Sequence, residues 1–183
     1  MRVIAGEAKG RKLAPPKSRA VRPTSDRVRE AIFDVLSHLD VVDDATVVDL
    51  YAGSGALGIE ALSRGARSAT FVDSDPEALA VIEENLERTG FKASSDVVRA
   101  DSIAWSRRGR GVDVAFVDPP YAFDDWDALL SVLPADLAVL ESRGEVDLRS
   151  PWSLHRRYRH GGTLVTVAVK SPLVPLAGPE EGR

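Results

Sequence analysis

The 183-residue chain contains no cysteine. That excludes disulfides, thiolate metal ligands and iron–sulfur clusters. It also excludes any reaction through a cysteine nucleophile, including covalent C5-methylation of pyrimidines. Histidine is scarce: His38, His155 and His160 follow no metal-ligand spacing, and no metal site is expected. His38 reads as a surface residue near a helix end. No apolar run approaches the roughly 18 residues needed to span a bilayer. Met1-Arg2-Val3-Ile4-Ala5-Gly6 lacks the apolar stretch of a signal peptide, so the default compartment is the cytoplasm. Hydrophobic residues still make up 44% of the chain, a globular composition with length for one full core. There is no internal repeat and no interdomain linker, and a monomer is expected.

The net charge of −4 conceals an asymmetry. Nine of the 24 Lys and Arg residues fall within residues 1–29: Arg2, Lys9, Arg11, Lys12, Lys17, Arg19, Arg22, Arg27 and Arg29. Only Glu7 and Asp26 oppose them there. The rest of the chain is strongly acidic. A basic arm on an acidic body suits a polyanion, because phosphate contacts supply much of nucleic-acid affinity. A solvated basic tail with no partner is the plainer alternative. The cluster His155-Arg156-Arg157-Tyr158-Arg159-His160 is a weaker extension of the same signal.

Apolar patterning alternates strand and helix. Arg2 to Ala5 and Arg11 to Ala14 read as a hairpin turned through residues 6–10. Its place before the first sheet strand predicts that it packs beside the fold rather than inside it. A helix follows from about Asp26 to Leu39, with Thr24, Ser25 and Asp26 as cap candidates. Its apolar face is Val28, Ala31, Ile32, Val35, Leu36 and Leu39. Strands are read at 46–51, 69–72, 97–99, 112–117 and 137–140, with a final hairpin at 153–158 and 163–169 around Gly161-Gly162. Asp75 and Pro76 begin a helix that Gly90 stops. Trp126, Leu129, Leu130 and Leu133 mark another. This alternation predicts an α/β, doubly wound, mostly parallel seven-stranded sheet with an antiparallel last strand and a small N-terminal β-hairpin. Residues 171–183 read as a disordered tail.

Two motifs carry chemistry. The stretch from Asp49 through Ala52-Gly53-Ser54-Gly55-Ala56-Leu57-Gly58 has G-x-G-x-x-G spacing between a strand and a helix. The glycines allow a tight turn and close approach of backbone to ligand. Asp73 closes the next strand twenty residues after Gly53, where a carboxylate accepts from ribose hydroxyls. This much fits NAD or S-adenosylmethionine. Asp49 separates the two, because it would repel a pyrophosphate over the turn but attract an ammonium and a sulfonium. A simple turn cap is its plainer reading. Asp101 would complete a nucleoside pocket by accepting from an adenine amine, or merely cap a helix.

The second motif is Asp118-Pro119-Pro120-Tyr121, which follows the strand pattern 112–117. Two prolines end the strand. A carboxylate and a ring are left at the C-terminal sheet edge, where open α/β sheets bind ligands. Acceptors there can hold a planar amino group while the ring stacks on the base that carries it.

Arg22-Pro23-Thr24-Ser25-Asp26-Arg27-Val28-Arg29-Glu30-Ala31-Ile32-Phe33, together with the two motifs, resembles the bacterial 16S ribosomal RNA guanine-N2 methyltransferases of the RsmD type. The resemblance spans about residues 1–170. The tail after Lys170 finds no counterpart. The resemblance implies a class I S-adenosylmethionine-dependent methyltransferase of Rossmann-like fold. The acceptor would be the N2 amine of guanine 966 of 16S rRNA in the assembled or assembling 30S subunit. Residues 1–20 would be an RNA-docking arm and residues 21–170 the methyltransferase domain. The implied cofactor set is Asp49, Gly53, Gly55, Gly58, Asp73, Asp101, Ser102 and Thr24. The implied catalytic set is Asp118, Pro119, Pro120 and Tyr121. RNA would meet Arg2, Lys9, Arg11, Lys12, Lys17, Arg19, Arg22 and Arg27. The catalytic turn alone leaves other planar amines open as acceptors: adenine N6 in DNA, a tRNA guanine or a protein glutamine. A cofactor-binding RNA assembly factor without turnover is a second class, and an NAD dehydrogenase a distant third.

Overall fold

The computed structural model describes residues 1–15 and 26–170. Among these, seven strands form one sheet: β1 (Thr46–Leu50), β2 (Ser68–Asp73), β3 (Ser95–Arg99), β4 (Val112–Val117), β5 (Ala135–Ser142), β6 (Trp152–His160) and β7 (Thr163–Lys170). Their order is β3-β2-β1-β4-β5-β7-β6. β1 to β5 pair in parallel, and β7 runs antiparallel to both β5 and β6. The helices are α1 (Asp26–His38), α2 (Ala56–Ser63), α3 (Pro76–Thr89), α4 (Ser102–Ser106) and α5 (Trp126–Val132). The expected architecture is present. The Thr24 and Ser25 caps, Lys17, Arg19, Arg22 and the tail lie outside the described residues.

The central strands are mostly apolar because both faces are covered, and Asp49 of β1 is a buried exception. One face carries Val47, Phe71, Phe116 and Val139 against Ile32, Phe33, Ile59 and Ile82. The other carries Val48, Val72, Val117 and Leu140 against Leu129, Leu130 and Leu133. The register aligns Leu50 with Val72 and Val117, and Val117 with Leu140. One step beyond that line the chain places Asp73, Tyr51, Asp118 and Glu141 along the C-terminal edge. The short α4 has too few residues to show a periodic pattern in the sequence. Asp101 accepts from the Ala104 amide at 2.8 Å and caps it.

The arm corrects an expectation. It does turn back on itself, with Arg2 opposite Lys12, the Val3 amide donating to the Arg11 carbonyl at 3.0 Å and Gly10 to Val3 at 2.9 Å. It does not lie beside the fold. Val3, Ala8 and Leu13 are buried in the same core as α1 and α2. The wholly buried Glu60 of α2 accepts from the Ile4 and Ala5 amides at 2.8 and 3.0 Å, and from Arg64 at 2.8 Å. Ser63, ending α2, receives the Glu7 amide on its carbonyl at 2.7 Å and the Ala8 amide on its hydroxyl at 3.0 Å. Helix-end carbonyls lack intrahelical partners, and the arm supplies one. Asn85 of α3 exchanges hydrogen bonds with both backbone groups of Ala14, at 2.7 and 3.1 Å. Arg29 belongs to this seam and not to a free basic face. It is fully buried, with its guanidinium 2.7 Å from Asp26 and 3.8 Å from Glu60, and it donates to the Arg2 carbonyl at 2.7 Å.

Gly6 is where the arm touches α2. Its φ is +78°, and a Cβ would lie 1.6 Å from the Ser63 carbonyl oxygen. Backbone on both sides cannot yield locally. Gly6→Ala is therefore expected to lower thermal stability by more than the roughly 1 kcal/mol of a strained residue, since the arm must also lift from α2. A melting temperature within about 1 °C of the unaltered protein would show that the contact is dispensable.

Candidate active site

The glycine turn between β1 and α2 is tight and fixed by its backbone. Gly53 and Gly55 have φ of 56° and 74°, where side chains are disfavoured. Gly58 sits against Phe71, and a Cβ there would fall 2.4 Å from its fully buried ring. The third glycine thus sets how closely α2 approaches β2. The Gly53 amide donates to one oxygen of Asp73 at 2.9 Å, and the Asp75 amide donates to the other at 2.9 Å. The turn and the β2 end are fixed to each other by a carboxylate that keeps further lone pairs for a ligand. Asn85 supports the turn from below by donating to the Ser54 carbonyl at 2.9 Å. Asn85 therefore joins the arm to the turn, a link with no local sequence signal.

Asp49 lies deeper than a strand-end carboxylate, at 2% exposure, and accepts from the Gly58 amide at 2.9 Å. Burial pushes its carboxyl well above the ordinary carboxylate range. The Gly58 bond opposes that shift, and the charges of Asp118 and Asp73 add to it. The cap reading of Asp49 is thus geometrically real, and it coexists with a carboxylate whose charge burial disfavours.

Tyr51 joins the site although its sequence context marks it only as the end of a strand. It holds φ at +57°, uncommon for a residue with a side chain. Burial, helped by the charge of Asp101 and opposed by the Ser102 side chain, pushes its hydroxyl up to about 12. Ser102 is itself buried while Asp101 is exposed. The Tyr51 ring meets Phe123 edge-on at 5.5 Å, and Phe123 meets Trp126 at 5.0 Å. This aromatic chain pins the segment after the second motif.

That motif leaves β4 as expected. Asp118 follows Val117 directly and is half-buried, Pro119 is buried, and Pro120 and Tyr121 are exposed. The Phe123 amide returns to the Pro120 carbonyl at 2.8 Å, closing a turn. Tyr121 is 51% exposed, with the Arg143 guanidinium 4.0 Å from its ring centroid. Asp49, Asp73 and Asp118 extend from one face of three adjacent strands, and the buried Glu141 holds the next place on that edge. A carboxylate row under a glycine turn, beside an exposed ring with a proline-bound acceptor, suits a cationic nucleoside and a planar amine.

The chain matches the family described as Conserved hypothetical protein 95 over residues 1–166. It is 37% identical over 167 residues to the ribosomal RNA small subunit methyltransferase D of Escherichia coli (strain K12), covering 85% of this chain and 83% of that one. The chain belongs to the RsmD family. The enzyme of the same name from Haemophilus influenzae is 34% identical, over 84% of this chain and 86% of its own. A solved Escherichia coli chain described as a methyltransferase superposes with a TM-score of 0.82 at 34% identity, covering 93% of this chain and 97% of that one. A Pyrococcus horikoshii structure at 21% identity and TM-score 0.73 shares the fold. The fold is that of class I S-adenosylmethionine-dependent methyltransferases.

In this RsmD-family chain, Arg2, Lys9, Arg11, Lys12 and Arg27 are exposed. Arg11 also reaches the Arg88 carbonyl at 3.4 Å. Thr24, Lys17, Arg19 and Arg22 of the sequence-based sets lie outside the described residues. Among the described residues no cluster of His, Asp and Glu is arranged to hold a metal, and no helix is long and apolar enough to cross a membrane.

Proposed function

We propose that the chain transfers a methyl group from S-adenosylmethionine to the exocyclic N2 amine of guanine 966 in 16S rRNA, on the assembled or assembling small subunit. The observation that carries this reading is the Asp118–Tyr121 turn. It stands at the β4 end beside the glycine turn, in a chain whose relatives are named for small-subunit rRNA methylation.

The residues fit the cofactor. Asp49 is a buried carboxylate held above its ordinary range by burial, and a cationic ammonium nearby would relieve it. Asp73 and Asp101 would take the ribose and the adenine amine. Gly53 and Gly55 allow the tight turn that brings backbone close to a ligand, while Gly58, read as a cofactor contact from its spacing, instead seats α2 on Phe71. When bound, S-adenosylmethionine supplies an electrophilic methyl on a sulfonium.

A guanine amine is a weak nucleophile because its lone pair is delocalised into the ring. The Asp118 carboxylate and the Pro119 carbonyl accept its two hydrogens and favour the pyramidal form, whose lone pair is available. Tyr121 stacks on a base extruded from its helix, as other enzymes acting on bases require. Most of the catalytic effect then comes from positioning.

The test is methyl transfer from labelled cofactor to 30S subunits, naked 16S rRNA, tRNA, DNA and protein, with mass mapping of the methylated rRNA. Label at one 16S guanine N2 is expected. Label confined to DNA, tRNA or protein would replace this reading with another planar-amine acceptor. Cofactor binding without transfer to any acceptor would leave an assembly factor.

Asp49 gives a pH test. Its raised folded-state value means that its stabilising contribution is present in acid and is lost as pH rises through that value. A cationic ligand prefers the ionised form, so affinity for S-adenosylmethionine is expected to strengthen over the same rise, with proton release. Asp49→Asn keeps an acceptor for the Gly58 amide but carries no charge. Calorimetry should show weaker binding and a flatter pH dependence. An unchanged pH profile in the Asn variant would leave Asp49 as a turn cap only.

A further inference from the structure

The reach of Arg143 over Tyr121 is not explained by the fold. Arg143 follows β5 directly, and the β4–β5 register brings that strand end beside the acceptor turn. Its guanidinium stands 4.0 Å from the Tyr121 ring centroid, although both side chains are largely exposed. Among the described residues Arg143 has no carboxylate within ion-pairing distance, whereas neighbouring Arg157 is paired with Glu145 at 2.9 Å and Arg149 with Asp127 at 2.9 Å. The Arg143 backbone is braced: Ser142 Oγ donates to the Gly144 carbonyl at 2.7 Å, and Arg159 from β6 reaches the Arg143 carbonyl at 3.5 Å. A second cation, Arg159, thus reaches the Arg143 backbone from across β7, at the end of the sheet edge that follows the acceptor turn.

The geometry points to Arg143, backed by Arg159, as a second RNA-contacting corner that holds the phosphodiester flanking the extruded base and keeps the Tyr121 ring in stacking position. This rests on the nucleic-acid reading above. An exposed stack on a ring leaves the guanidinium N–H groups at the ring edge, and these suit phosphate in a two-pronged contact. The charge is available because no carboxylate among the described residues consumes it. One side chain then serves the base through the ring and the backbone through its own donors. Arg143 is a positioning residue and makes no contact with the reacting atoms.

Arg143→Ala is expected to raise KM for the RNA acceptor by roughly two- to fivefold, the size of an exposed cation–π contact. The logarithmic salt slope of RNA binding should become shallower by about 0.7 to 0.9. Affinity for S-adenosylhomocysteine and thermal stability should not change. Arg143→Lys should keep the salt slope, because the charge remains, while recovering KM only in part. An unchanged salt slope in Arg143→Ala would overturn the phosphate contact, whatever happens to KM. If the unaltered protein methylates no RNA, the functional reading fails instead, and the two failures are separate.

Discussion

Asp118→Ala is expected to reduce methyl transfer by roughly 10²–10³-fold, the range for removing one preorganised group that meets a charge change in a closed site. Affinity for S-adenosylhomocysteine should stay within a few-fold. The argument is positional. Asp118 is the first residue beyond β4, half-buried, and the two prolines after it cannot continue the strand, so the chain turns away at this residue. Asp73 has both oxygens engaged by backbone amides and Asp49 is committed to Gly58, so neither carboxylate can move over to replace it. Asp118→Asn is informative beside the alanine. It preserves volume and one acceptor, but its amide would present donors to an amine that needs acceptors, so it should recover little. Single-turnover rates with saturating cofactor separate this from binding. Turnover near that of the unaltered enzyme in either variant would remove Asp118 from the reaction.

The sheet and the row of carboxylates are legible in the sequence because each rests on local signals. Apolar runs such as 112–117 end in residues that cannot continue a strand, and the glycine spacing after Asp49 demands a turn. Parallel pairing then puts Asp49, Asp73 and Asp118 on one edge without further information. The parts that are not legible are long-range. Glu60, Ser63 and Asn85 are single polar residues on helices, and nothing near them in sequence says that they receive the backbone of residues 4–14. Arg29 reads as one of the arm's charges, yet it sits buried against Glu60. Its position on the apolar face of α1, one residue after Val28 and three before Ile32, is the available clue. Arg143 and Tyr51 carry no such signal, because their roles depend on which strand ends become neighbours. Val3 and Leu13 do hint at how the arm packs, since apolar residues spaced through a basic segment are out of place in a solvated tail.

Removing residues 1–15 is therefore expected to destabilise the protein severely, contrary to what their charge alone suggests. Val3 and Leu13 are 1% and 4% exposed, and the loss of each buried side chain costs about 1.5–3 kcal/mol. Glu60 would keep Arg64 but lose two amide donors, hydrogen bonds to a charged group that contribute about 1.5–3 kcal/mol each. These costs approach the whole stability of an ordinary domain, roughly 5–15 kcal/mol. Insoluble or unfolded protein is the expected result, or a melting temperature lower by about 15 °C or more. An absence of methylation in such a truncation would say nothing about RNA docking. Charge reversal separates the two roles. Lys9 and Lys12 are exposed, so Lys9→Glu with Lys12→Glu should melt within about 2 °C of the unaltered protein, as surface substitutions usually do. If the arm docks RNA, this variant should bind the ribosomal acceptor more weakly, with a salt slope shallower by about 0.7 to 0.9 for each phosphate that is no longer neutralised. A stable double variant with unchanged affinity and slope would show that the basic face of the arm does not meet RNA and that its work is to close the core over α2.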